Sequence, residues 1–329
     1  MKSLFLLVAS CWLLVTVLFG CGPSYPKEKF KESIVRLCKD EYKLDIKVET
    51  VGKTIAIYLP LPDLIDFTFA ITKQASEKIN DVILSVSRVA LSTDAKFDFY
   101  CIIAHDIRIP EIQIVIIKSV DDVKRFLLND ISRGEYSKRM LIDIRLNPQS
   151  QKERAIKEVF EKMAIDKKWQ ERVMNDFFRA EPAVLGDIGY WNGRFYIKNI
   201  SLAEFLAEQI VNRIRIEFRE DKELLDAFLV KSTKGFYISK DSRHYFRFEV
   251  EAEPKSFNQL EASEATNRIF QTVLKVVYQV IHGYKFEDFD YIEIVNQTNG
   301  RTSKFLRDNL KNFKPKRTKI EDIMEFDTY

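Results

Sequence analysis

Two separate stretches of this chain run through the same succession of hydrophobic periods. In each, apolar residues recur at helical spacing, form two strand-like runs, return to helical spacing and form a further strand. Thr54 to Phe97 spans 43 positions, and Tyr245 to Phe289 spans 44. Phe97-Asp98-Phe99-Tyr100 in the first stretch stands where Phe289-Asp290-Tyr291-Ile292 stands in the second. Helical side chains share a face every three to four residues and strand side chains every two, so matched periods predict matched supersecondary structure. The chain therefore reads as an α+β protein. It is expected to hold two duplicated α/β units of order α-β-β-α-β-α with mixed sheets, joined by a helical connector.

The first unit is expected over residues 27–147, with helices at 27–42, 75–91 and 121–131. Its strands are expected at 44–49, 54–59, 97–104 and 113–118, the last having no counterpart in the second unit. Several of these runs are apolar on both faces, as strands of a covered sheet are. The second unit is expected over 201–313, with helices at 202–218, 264–281 and 303–313 and strands at 227–231, 245–251 and 291–295. The connector, 148–200, reads as helical around Ile156, Val159, Phe160 and Met163, and again around Trp169, Val173 and Phe177. Glu181-Pro182 stops it, because the residue before a proline is pushed out of the helical region. Its last part, 186–196, holds Gly186, Gly189 and Gly193 among dense aromatics and reads as a turn-rich hairpin. Residues 314–329 read as a basic, polar tail.

The N-terminus has a plan of its own. Lys2 precedes an uncharged apolar run over residues 4–19, shorter than the roughly 20 residues a spanning helix needs. A short positive region, an apolar core and a small residue before a cut make up a signal peptide. The run ends Leu18-Phe19-Gly20-Cys21-Gly22, which resembles the lipobox of bacterial lipoproteins at Leu18, Gly20 and Cys21; Phe19 is bulkier than the usual residue there. Val8-Ala9-Ser10-Cys11 also fits, but leaves fewer apolar residues before the cysteine than the roughly 7–15 of a signal core. The resemblance implies that residues 1–20 are removed and that Cys21 carries diacylglycerol and a further palmitate-type acyl chain. Residues 21–26 then form a tether at the cell envelope. The absence of Asp after Cys21 implies the periplasmic face of the outer membrane rather than the inner membrane.

Cys38 and Cys101 remain in the mature chain. In an oxidising compartment they are a candidate disulfide pinning the first helix to the first sheet; the alternative is two buried thiols.

Chemistry is harder to find. The 52 basic and 49 acidic residues nearly cancel, so no broad attraction to nucleic acid is expected. Only 10 glycines occur, and no phosphate-cradling loop, dinucleotide fingerprint or nucleophile elbow is present. His105, His244 and His282 stand in no metal-ligand spacing, so no metal or cofactor is expected. His105-Asp106 is a pair of the kind metal-dependent phosphohydrolases use, without their further ligands. Glu287, Asp288, Asp290 and Glu293 form an acidic cluster that suits a solvated strand end or, alternatively, a carboxylate pair for glycan cleavage. Tyr190, Trp191, Phe195 and Tyr196 are the candidate binding surface, since aromatics anchor partners and stack on sugars; the alternative is that they pack the connector onto a unit. The expected function is a non-enzymatic scaffold, assembly or adaptor component of the envelope, with the membrane and an envelope protein as partners. The alternatives are a ligand-binding lipoprotein using a cleft between the units, and a cell-wall or glycan hydrolase.

Overall fold

The computed structural model describes residues 25–68, 70–146, 159–173, 185, 188–255, 262–311, 313, 314, 318, 323 and 326–328. The signal-like segment, Cys11 and Cys21 lie outside the described residues, as do 147–158, 174–184 and 186–187 of the connector.

The chain is an α+β protein. Its first part contains α1 (Phe30–Tyr42), β1 (Lys47–Val51), β2 (Thr54–Leu61), α2 (Lys73–Ser92), β3 (Phe99–Asp106), β4 (Ile112–Ser119), α3 (Val120–Leu127), α4 (Arg133–Lys138) and β5 (Leu141–Leu146). The connector contributes α5 (Lys167–Val173) and a hairpin of β6 (Gly189–Trp191) and β7 (Arg194–Tyr196). The second part contains α6 (Leu202–Glu220), α7 (Lys222–Ala227), β8 (Phe228–Lys240), β9 (Arg243–Pro254), α8 (Ala262–Tyr284), β10 (Tyr291–Asn296), β11 (Thr302–Leu306), α9 (Arg307–Lys311) and β12 (Phe326–Thr328).

Two five-stranded sheets result, in the orders β1-β2-β3-β4-β5 and β8-β9-β10-β11-β12. Each has one parallel pair, β2 with β3 and β9 with β10, and every other pairing is antiparallel. Parallel neighbours need a long crossover, and α2 and α8 supply it. Thr54 opens the first parallel ladder opposite Phe99, and Tyr245 lies opposite Tyr291 in the second.

Three expectations are corrected. The strand thought peculiar to the first unit has a counterpart in β11, where a helix was expected at 303–313. Ser303 and Phe305 are fully buried while Lys304 and Leu306 are more exposed, a period of two that the short run could not display against Leu306 and Leu310. Each sheet also has an unforeseen fifth strand, β5 or β12. β12 comes from the segment read as a solvated tail; its pairing with β11 supplies the backbone hydrogen bonds that a polar sequence does not advertise.

Turn chemistry explains the hairpins. Asn192 and Gly193 both take positive φ, 50° and 77°, as the two-residue turn between β6 and β7 requires. Asp241 and Ser242 do the same between β8 and β9.

The first sheet is buried on both faces. Ile55, Ile57, Leu59, Tyr100, Ile102 and Ile114 pack under α1 and α2. Phe99, Cys101, Ile103, Val115 and Ile117 point the other way and join Phe205, Leu206 and Ile210 of α6 in a core that continues to Phe246 and Phe248. Thus α6 lies between the two sheets and buries residues around much of its circumference, whereas α1 buries only Phe30, Ser33, Ile34 and Cys38. Ser201 and Glu204 start α6 with a capping box. Gly235 of β8 lets it sit close: a Cβ there would lie 2.6 Å from Val211 and 2.8 Å from the Ala207 carbonyl. This shared core fills the space where the alternative, ligand-binding reading placed a cleft between the units. Each fully buried Leu or Phe in it contributes about 1.5–3 kcal/mol.

The second sheet packs one face against α6 and α8 through Phe246, Phe248, Val250, Ile292 and Ile294. Its other face carries Tyr245, Arg247, Glu249, Tyr291, Glu293 and Lys304, tied by Arg247–Glu249 and Arg247–Glu293 pairs, both 2.8 Å. The matching face of the first sheet is apolar because α6 covers it. A polar face ends the stack of layers.

Candidate functional site

The parallel strands β2 and β3 end side by side at Leu61 and Asp106, where the chain turns away toward α2 and β4. Carboxyl ends of adjacent parallel strands are where helix-connected sheets open crevices. Here the loops at 62–72 and 107–111 bound a cavity of about 450 Å³, lined by Asp63, Ile65, Asp66, Phe67, Thr72, Arg108, Ile109, Lys162 and Met163.

Its walls are held by short-range hydrogen bonds. Asp66 accepts from Thr68 N at 2.8 Å, Thr68 Oγ1 at 2.6 Å and Ala70 N at 3.2 Å, curling the loop on itself. Desolvation opposes ionisation of Asp66, but these donors outweigh it and hold the carboxyl below its ordinary range. Thr72 caps α2 by accepting from Ala75 N and donates to the Asp63 carbonyl at 2.6 Å. Asp106 is fully buried and fastens both loops, accepting from Leu64 N and Arg108 N, each at 2.9 Å. The Arg108 guanidinium pairs with Asp63, and Lys162 pairs with Glu111 at 2.9 Å. Phe67, 63% exposed, leaves one apolar wall open to solvent. Paired charges beside an apolar wall suit a ligand or peptide carrying both characters. The Thr72 hydroxyl at its rim is engaged in both directions.

Sequence reasoning placed the binding surface elsewhere. Tyr190 and Trp191 are buried, Phe195 is half-buried, and Tyr196 alone of the four is largely exposed. Gln113 explains why. Its side-chain amide accepts from Tyr190 N at 2.9 Å and donates to Tyr190 O, standing in for a neighbouring strand. Tyr58 stacks on Tyr190 with ring centroids 3.9 Å apart, and Lys47 Nζ donates to the Tyr190 hydroxyl at 2.6 Å. The aromatics therefore pack the connector hairpin onto the first sheet, and the expected open platform is corrected.

His105 and Asp106, adjacent on a strand, point to opposite faces. His105 Nδ1 lies 2.8 Å from the Tyr58 hydroxyl, and Nε2 lies 3.2 Å from the Pro110 carbonyl. The Nε2–H tautomer, assigned from this network, satisfies both. Burial pushes the imidazole below its ordinary pKa, favouring the neutral ring. Among the described residues no group of three His, Cys, Asp or Glu is placed to hold a metal ion.

Cys38 and Cys101 are free, which corrects the candidate disulfide. Cys38 lies in the core under α1 and α2, and Cys101 in the core shared with α6, so the first sheet separates them. Burial pushes the Cys101 thiol up to about 12 and raises Cys38 as well. In both, burial disfavours the thiolate, the nucleophilic form. In the acidic cluster, Asp290 accepts from His244 N at 2.7 Å, and Glu293 pairs with Arg247 and, at 3.7 Å, Lys304.

A buried polar network escaped sequence reasoning altogether. Arg139 donates to Asp122 at 2.8 Å and to Glu135 at 2.8 Å, and Arg213 of α6 reaches the same Glu135 oxygen at 2.7 Å. The Tyr284 hydroxyl of α8 donates to Asp122, and Gln209 of α6 donates to the Arg139 carbonyl at 2.9 Å. Burial raises the Asp122 carboxyl even against these partners. Lys118 Nζ lies 3.7 Å from the Tyr136 ring centre, and burial pushes its ammonium down to about 8. The network clasps α3 and α4 to α6 and α8. Asp122 between Val120 and Val123 was its one visible trace, a charge on an apolar face.

Among the described residues no helix is long and apolar enough to cross a membrane. No family model, curated protein or solved structure matches this chain.

Proposed function

We propose that this protein is a lipid-anchored component of the bacterial cell envelope that acts by binding, as an adaptor or assembly factor. One observation carries the reading: the place where the chain emerges after the lipobox-like Leu18-Phe19-Gly20-Cys21. Tyr25, four residues beyond Cys21, donates its N–H to the Ser92 carbonyl at 3.3 Å and bridges to Thr93, at the C-terminal end of α2. The crevice lies at the N-terminal end of the same 20-residue helix, about 30 Å away at 1.5 Å per residue. An anchor at one end would therefore present the crevice away from the lipid, toward an envelope protein partner. The outer membrane's periplasmic face remains the proposed address.

The test has two parts. Cys21→Ser should abolish acyl labelling in producing cells and move the protein from the membrane to the soluble fraction; a wild type that takes no acyl label overturns the anchor. A photo-crosslinker at Phe67 should then capture one envelope protein in stoichiometric yield, while the same group at Leu84 on α2 should not.

A second reading, a ligand-binding lipoprotein, is favoured by the cavity's volume. At about 450 Å³ it falls in the range of small-molecule sites. A thermal shift with a zwitterionic peptide or sugar, lost in Arg108→Ala, would select this reading. The hydrolase reading fits less well, since Asp290 and Glu293 are engaged by His244, Arg247 and Lys304.

A further inference from the structure

The 120–140 segment leaves the first sheet after Ser119, opposite Phe99, and rejoins it at Leu141, opposite Ile117. Both attachment points lie at the end of the sheet where β3 begins, the end at which Tyr25 is fastened. On this segment Leu127 and Leu128 are 61% and 79% exposed. They are not on a loose loop. Arg125 Nη1 donates to the Gly283 carbonyl at 2.7 Å, Arg125 Nε pairs with Asp130, and Asp130 N returns to the Arg125 carbonyl at 2.8 Å. Phe126 stacks on Tyr136, with ring centres 4.5 Å apart. The fold thus holds two leucines in solvent on a pinned turn.

What covers them follows from the length of the tether. An extended chain reaches at most about 3.6 Å per residue, so Tyr25 lies within about 14 Å of an acylated Cys21. A tether that short brings the end of the body bearing Tyr25 against the lipid headgroups. We propose that Leu127 and Leu128 insert into the lipid surface there, giving the protein a second contact and a fixed orientation on the membrane. This rests on the anchor reading above. Exposed Lys27, Lys29, Lys53, Lys96 and Lys124 at this end are offset by Glu28, Asp94, Asp98, Asp121 and Asp130, while exposed Arg133 and Lys138 on the leucine segment add basic charge that supplements the contact. The leucines carry it, as apolar side chains do in interfacial anchors.

The experiment uses the full acylated protein with a nitrobenzoxadiazole probe on Leu128→Cys, and on Phe67→Cys at the opposite end. Vesicles of phosphatidylethanolamine and phosphatidylglycerol carry acyl-brominated lipid as quencher, and mass spectrometry reads acylation. The expected result is a blue shift and several-fold quenching at position 128 and none at 67, retained at about 1 M salt, where the screening length falls to about 3 Å. A bound, acylated protein whose position-128 probe stays in water overturns this proposal and leaves the anchor standing. Quenching lost in high salt overturns the leucine contact. A chain that takes no acyl group overturns the anchor reading and this proposal with it.

Discussion

Asp98 and Asp290 occupy the same corner of their two sheets. Asp98 N donates to the Lys53 carbonyl at 3.0 Å, and Asp290 N to the His244 carbonyl at 2.6 Å, each just before the neighbouring parallel ladder opens. The Asp98 carbonyl accepts from Val120 N at 2.9 Å, and the Asp290 carbonyl from Arg307 N at 3.0 Å, each just after the next strand ends. This corner puts Phe99 in register with Tyr291 and Cys101 with Glu293.

The matched pair gives the first prediction. Cys101→Glu buries an unpaired carboxylate under α6 and should abolish cooperative folding, seen by circular dichroism. Glu293→Cys, on the outward face, removes a buried carboxylate from Arg247 and Lys304 and should cost about 1–3 kcal/mol in urea unfolding without abolishing it, because Arg247 keeps Glu249. Equal effects would contradict the assignment of covered and terminal faces.

Breaking the clasp between the units should be costly. Arg139→Ala leaves Asp122 buried without its cation and should lose about 3–5 kcal/mol. Replacing Asp122 and Arg139 together with apolar residues should recover much of that loss. If the double variant is no better than Arg139→Ala, the charge pairing is not what the single variant removes.

Glu135 sets a pH dependence. Burial opposes its ionisation, but hydrogen bonds from Arg213 and Arg139 prevail and hold its carboxyl below the ordinary 4.5. A depressed folded-state value contributes stability that is present above 4.5 and lost as pH falls through the lower folded value. Asp122, raised by burial, works in the opposite sense. Glu135→Gln should therefore show a shallower loss of stability than wild type below pH 4.5, in melts at a series of pH values.

Both thiols should be silent in the native protein. Maleimide at neutral pH should label neither Cys38 nor Cys101, and both should label in denaturant without prior reduction. A requirement for reductant would mean a disulfide.

Gln113→Ala should loosen the connector hairpin. It removes two buried hydrogen bonds to Tyr190, at about 1 kcal/mol each, and should raise acrylamide quenching of Trp191 relative to wild type. Unchanged quenching would mean that the Tyr58 stack holds the hairpin alone.

Much of the architecture was legible. The helical periods of α2, α6 and α8 are long enough to average out local exceptions, and Asn192-Gly193 announces its turn. β11 was not legible, because its five residues run straight into a helix whose Leu310 suggested an earlier start. β12 carries almost no signal, since its partner strand supplies its hydrogen bonds. The crevice was missed because its walls come from two loops and from Lys162 and Met163 of the connector, which meet only in the folded chain.

The sequence by itself determined the longer helices, the strands of the two parallel ladders and the character of each side chain. Only the tertiary structure decided what each face lies against. Tyr190 reads as a binding aromatic until Tyr58 stacks on it, and Cys101 as a disulfide candidate until a sheet stands between it and Cys38. Burial belongs to two surfaces at once, and a one-dimensional pattern describes only one of them.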